Sequence, residues 1–245
     1  MKLAAPEAGE SPDSPPKLTP SLRVIGGAQR HRQLFAREPE WQFSLMLVLE
    51  VIFVFGAMPM LSASKADRGI LMLLQLILAG TAIALLAKST WLRLALTISF
   101  GLSLIVRVGH GLMPQTLTIS TIFAYNLLVT NAMSRAVFGA GPVTYHRIAG
   151  AVFIYLNIAL LFALAYDELT RALPDALSGL SDAMRGYPSE MIHFSFTTLT
   201  GIGDGPVLPH SPLARSLADL ETVVGHLFPA ILLARLVGLH VSEAR

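Results

Sequence analysis

His193-Phe194-Ser195-Phe196-Thr197-Thr198-Leu199-Thr200-Gly201-Ile202-Gly203-Asp204-Gly205 is the stretch that decides how the rest of the chain folds. Met191–Leu199 is apolar enough to lie in a membrane but too short to cross one, since a bilayer core of about 30 Å needs roughly 20 residues of helix. The glycines that follow permit positive φ and argue against a continued helix. Non-helical backbone at membrane depth is tolerated only inside protein or against a wet cavity. The stretch therefore predicts a re-entrant half-helix followed by a loop that lines something. Glu190 suits the positive start of that half-helix, with Ser189 as its expected cap.

Working outward, the composition supports a membrane setting. Of the 245 residues, 53% are hydrophobic and only 14% charged, with a mean hydropathy of +0.59, against about a quarter charged in a soluble domain. Six apolar runs approach or meet the spanning length: Trp41–Leu61, Gly69–Ala87, Trp91–Val108, Leu117–Phe138, Ile148–Tyr166 and about Leu213–Leu239. Trp41, Trp91 and Tyr166 stand at run ends, where amphipathic rings favour the headgroup level. The glycine loop falls between the fifth and sixth runs. Pro6 to Ser21, rich in proline and serine, has little to bury, so residues 1–40 are expected to be a disordered tail. No secretory signal is expected. With no cysteine in the chain, disulfides, thiolate chemistry and Cys-based metal sites are excluded. The net charge of +2 gives no reason to expect nucleic acid as a partner.

Charge also sets orientation. A cytoplasmic N-terminus places Lys2, Lys17, Arg23, Arg30, Arg32, Arg37, Lys88, Arg93, Arg135, Arg147, Arg235 and Arg245 inside. Only Lys65, Arg68, Arg107, Arg171, Arg185 and Arg215 then lie outside. The bias predicts both termini on the cytoplasmic side. Asp167, Glu168, Asp175, Asp182 and Glu190 make the loop before the half-helix net acidic, which either raises local cation concentration or is an ordinary solvated loop.

The stretch resembles the pore loop of the potassium-channel family. Thr197, Thr198 and Thr200 match the threonine-rich end of the family's pore helix, Ile202 its filter valine, and Gly203 and Gly205 its two filter glycines. Pro212, Ala214-Arg215, Leu217–Glu221, Gly225 and Ala234–Gly238 are similar to the outer linker and inner helix of bacterial members, so the resemblance covers about Ile148–Leu239. It implies a homotetramer in the bilayer, because one loop per chain cannot encircle an ion. It also implies a filter of Thr200, Gly201, Ile202, Gly203, Asp204 and Gly205. K+ or Na+ would be held by the backbone carbonyls of Thr200, Gly201, Ile202 and Gly203, as known for potassium-channel filters. Two positions depart from the family pattern: Gly201 stands where it has threonine and Asp204 where it has tyrosine. Pro206 replaces the aspartate that usually follows. Each change implies a looser filter, similar to relatives that pass both sodium and potassium.

Other residues carry open alternatives. Glu50, in the middle of the first run, is either a functional intramembrane carboxyl or a structural one, protonated or paired with Asn or Ser. Asn126 and Asn131 are expected to make interhelical hydrogen bonds. The fourth run has only Arg135 near its end, too few charges for voltage sensing. Gly225 and Pro229 can bend the last helix, as a gating hinge or as a static kink. If the last helix packs as in the family, Glu221 lies behind the filter and is expected to brace the pore helix by hydrogen bonding to Thr197 or Thr198. The seven histidines show no metal-ligand spacing, and no catalytic motif is present, so no enzyme and no cofactor are expected beyond permeant K+ and Na+. The few residues after Leu239 predict no cytoplasmic gating domain in this sequence.

The expected protein is an all-α membrane protein with six transmembrane helices and a re-entrant pore helix and filter loop between helices 5 and 6. Its parts are a cytoplasmic tail (1–40), a four-helix region (41–138) and a pore domain (148–242). It would be a multi-pass cation channel of the cell (inner) membrane. The alternatives are a selective potassium channel with a variant filter, or a non-conducting scaffold or sensor with a degenerate pore.

Overall fold

The computed structural model describes residues 40–58, 68–86, 90–108, 115–139, 144–180 and 188–243. The expected tail falls outside these, as do Asp182 and Arg185. Glu40 is the exception. Its carboxyl group accepts hydrogen bonds from Thr144 Oγ1 and from Arg147 Nε, the latter at 3.1 Å.

Each apolar run is helical over nearly all of its described residues, and the fifth extends beyond the predicted Ile148–Tyr166 at both ends. The first forms α1 (Trp41–Val51) and continues as a π-helical turn over Ile52–Ala57. Then come α2 (Arg68–Leu86), α3 (Thr90–Val108), α4 (Gln115–Val137) and α5 (Tyr145–Ala172). A short helix, α6 (Pro188–Leu199), precedes the long α7 (Pro212–Glu243). Among the described residues, Tyr145–Ala172 and Pro212–Gly238 are long and apolar enough to cross a membrane. Trp41–Ala57, Leu74–Ala84 and Thr90–Ile105 are shorter apolar helices.

Local chemistry sets the helix ends. Thr144 is extended and its hydroxyl accepts from Arg147 N–H at 3.3 Å, capping α5. Ser211 caps α7 by accepting from Ala214 N–H at 3.1 Å, and Pro212 follows at the first helical position, where its missing N–H costs nothing. The same preference starts α6 at Pro188, so Ser189 lies within the first turn and is not its cap. At the end of α4, Arg235 of α7 donates to the Phe138 carbonyl at 2.9 Å and lies over the Phe138 ring. Arg147 donates to the Gly139 carbonyl at 3.0 Å. The end of α4 is thus held by guanidinium groups from two other helices.

α5 is the central element, in contact with α1, α4, α6 and α7. Its face toward α1 and α4 buries Ala151, Phe153 and Ile154 against Met46, Val129 and Met133. A polar thread runs through this apolar interface. Asn157 of α5 donates from Nδ2 to Glu50 at 3.4 Å and accepts from Thr130 Oγ1 at 2.9 Å. Glu50 is fully buried, with one carboxyl oxygen paired with this asparagine. The expected role of Asn126 and Asn131 is corrected. Asn126 donates to the Ile122 carbonyl of its own helix, one turn back, and Asn131 is exposed. The interhelical asparagine is Asn157.

Past α5 the chain closes a frame around α6. β1 (Leu177–Ser178) pairs antiparallel with β2 (Leu208–Pro209), with Leu177 opposite Pro209 and Ser178 opposite Leu208. The Ala176 carbonyl accepts from both His210 and Ser211 N–H. Gly179, at φ +82°, passes so close to the Pro206 carbonyl that no Cβ would fit. Inside the frame, Tyr166, Met191, Phe194, Val207 and Ala214 form a second apolar cluster. Tyr166 was expected at the headgroup level. Instead it is fully buried, edge-on to Phe194 at 4.8 Å.

Candidate functional site

α6 is wedged between α5 and α7, and its C-terminal end is where the glycine loop begins. Ser195 and Thr197 are buried on it, and Phe194 and Phe196 anchor it to its neighbours. Phe196 meets Phe55 of the π-helical turn at 5.3 Å, so the first helix also touches α6.

The threonine hydroxyls turn back onto their own helix. Thr197 and Thr198 both donate to the Phe194 carbonyl, at 3.0 and 2.8 Å, and Thr200 donates to the Phe196 carbonyl at 2.7 Å. Such back-bonding is ordinary for hydroxyls in helices. It means that Thr197 and Thr198 are not the partners of Glu221, as was expected. Glu221, fully buried on α7, instead accepts from Tyr166 Oη of α5 at 2.8 Å and from Ser195 Oγ of α6. Ser195 Oγ also contacts the Ala159 carbonyl of α5 at 2.7 Å. Glu221 therefore does bind α6 to its surroundings, through partners the sequence did not single out.

The last carbonyls of α6 have no helical partners of their own, and donors from elsewhere meet them. Gly203 N–H bonds the Thr197 carbonyl and Gly201 N–H the Thr198 carbonyl, both at 3.0 Å. Thr222 Oγ1 of α7 reaches the Thr198 carbonyl at 3.3 Å, and Tyr155 Oη of α5 the Leu199 carbonyl at 3.4 Å. Thr222 and Tyr155 were not singled out from sequence. Their one visible signal is polarity within apolar helices.

Gly201, Gly203 and Gly205 have φ of +73°, +64° and +135°. They give the loop a course that side-chain-bearing residues rarely follow. Thr200 to Pro206 is exposed along its whole length, and Ile202 is 70% exposed. Asp204 is exposed as well. The loop thus lies on the protomer surface although its anchoring helix is buried. Gly225 is pressed against the end of α6, where an added Cβ would fall on the Leu199 carbonyl. α7 runs unbroken through Gly225 and Pro229.

Residues 150–240 match the family model described as ion channel. That stretch is similar to the ion-channel family's domain. It spans most of α5, the β-strand frame, α6, the glycine loop and most of α7, and the earlier helices lie outside the match. The match and the two long apolar helices support a membrane setting and an ion channel. Comparison with curated proteins and with solved structures returns no match.

Proposed function

We propose that the chain is one subunit of a homotetrameric channel that passes K+, and also Na+, passively down their gradients. In this reading all six apolar runs cross the cell (inner) membrane, and both termini are cytoplasmic. α6 is the re-entrant pore helix, and the Thr200–Gly203 carbonyls line the ion path. The observation that carries it is an exposed three-glycine loop mounted on a buried half-helix inside an ion-channel domain. A loop so firmly anchored yet left uncovered in one protomer suits a surface that meets symmetry copies around an axis. Glu221, Thr222 and Tyr155 support the filter from behind in this reading.

Weak discrimination between K+ and Na+ follows from the residues present. Gly201 offers no hydroxyl to an ion, and Asp204 cannot fill the volume of the tyrosine that fixes the filter width in the family. Accounts of selectivity by cavity size and by ligand number agree on the direction of that loss. Bi-ionic recording in bilayers tests it. The reversal potential is expected well short of the potassium limit, and Asp204→Asn is expected to weaken attraction or block by external divalent cations, since four carboxylates would concentrate them. A reversal potential at the potassium limit would favour the selective alternative. A pure preparation that never conducts would favour the scaffold.

A further inference from the structure

The imidazole of His226 occupies the room that a side chain on residue 201 would need. A Cβ built on Gly201 would lie 2.9 Å from His226 Cε1 and 3.1 Å from Nε2. The ring is exposed on the protomer surface, beside the exposed loop. Its orientation is fixed from behind. His226 Nδ1 lies 2.7 Å from the Thr222 carbonyl. A carbonyl only accepts, so this contact places the proton of the neutral ring on Nδ1 and leaves the Nε2 lone pair free. Thr222 is itself held, its hydroxyl contacting the Ala218 carbonyl at 2.9 Å and the Thr198 carbonyl at 3.3 Å. An imidazole whose Nδ1–H is donated to a backbone carbonyl while Nε2 stays open is the arrangement in which histidine binds metals.

We propose that His226 makes the end of the glycine loop at Gly201 a binding site for first-row transition-metal cations such as Ni2+, with one Nε2 from each subunit. This rests on the four-copy arrangement proposed above. Among the described residues, one chain brings no three metal-ligating side chains together. Spacing along the sequence could not reveal such a site, because rotation of one histidine about an axis supplies the other ligands. Neutral imidazole nitrogens suit nickel, copper and zinc, whereas K+ and Na+ prefer oxygen. The ring therefore adds a metal-sensitive element to a path otherwise lined by carbonyls. In the proposed topology Gly201 is at the cytoplasmic end of the loop, so the site is reached from inside.

Recording from excised patches with Ni2+ applied to the cytoplasmic face tests the site. Ni2+ is expected to block the unmodified channel, with recovery on adding EDTA. His226→Gln keeps a polar side chain and removes the ligand, and should raise the half-blocking concentration at least about tenfold. His193→Gln serves as the control, because the His193 ring lies at the other end of the loop, 3.6 Å from a Cβ built on Gly205. It should leave the internal block in place. Current that Ni2+ does not block, or block unchanged in His226→Gln, would overturn the site and leave the conduction reading intact. No current from the unmodified protein under any ionic condition would overturn conduction, and this site with it.

Discussion

A carboxyl group without access to solvent needs donors, and Glu221 finds them on two different helices. Tyr166 comes from α5 and Ser195 from α6, so one side chain of α7 ties three elements together. Burying such a group without partners is costly, which makes its removal informative. Glu221→Ala leaves the buried Tyr166 hydroxyl without its acceptor and is expected to destabilise the protein by about 1–3 kcal/mol. Tyr166→Phe should cost less, because it removes one bond and leaves Ser195 in place. Denaturant titration in mild detergent measures both, and a Glu221→Ala protein as stable as the unmodified one would remove the brace. Glu221 was legible in the sequence as an acid one turn before Gly225 in a largely apolar helix. Its partners were not. Whether Ser195, Thr197 or Thr198 faces Glu221 depends on the rotation of α6 about its axis, which composition does not encode. Tyr166 was misplaced for a related reason: standing at the end of an apolar run, it looked like a headgroup ring, but the β1–β2 frame covers it.

At the scale of elements, the crossing of α6 and α7 is a close backbone contact at the start of the loop. Gly225 lets the helices approach until its Cα side faces the Leu199 carbonyl, and four residues on, Pro229 lacks the N–H that would bond the Gly225 carbonyl. Proximity and a missing hydrogen bond therefore coincide at one glycine. A hinge needs only flexibility there, whereas the contact needs the absence of a side chain, and substitution separates the two. Gly225→Ala forces a methyl group onto backbone and should destabilise by about 1–3 kcal/mol. Gly238→Ala, with nothing within 4 Å of the new Cβ, should be near neutral or slightly stabilising. If Gly225→Ala leaves stability untouched and alters only opening and closing, the hinge is favoured over packing. The element ends were legible only in part: Pro212 starts α7 next to the predicted Leu213, but α5 runs from Tyr145 to Ala172 and not from Ile148 to Tyr166, because Thr144 caps it ahead of the apolar run and polar residues continue it. The Glu50–Asn157–Thr130 thread was half legible. Glu50 stood out as an acid in an apolar run, while Asn157 looked like any polar residue in a long helix until the packing of α1 and α4 on α5 placed it between them.

For the whole molecule, the question is what covers α7. Leu213, Leu220, Val223, Leu227, Ile231, Leu233 and Val237 are all exposed on it, and Ile202 of the loop is exposed beside them. Lipid can cover apolar side chains, but it offers nothing to backbone carbonyls such as those of Thr200 to Gly203. The exposed loop and the exposed His226 thus call for protein or water, and the apolar residues around them for protein or lipid. Cyclic assembly of identical subunits meets both needs, with loops turned to a shared wet axis and the remaining α7 surface divided between neighbours and lipid. Four copies are expected, and mass measurement in nanodiscs should find the tetramer as the main species. Substitution at the loop face should weaken it: Ile202→Asp, which would set four further charges around the axis, is expected to shift the mass toward smaller species or to abolish conduction. A stable monomer or dimer as the sole species of the unmodified protein would defeat the proposal, since one or two loops cannot enclose an ion.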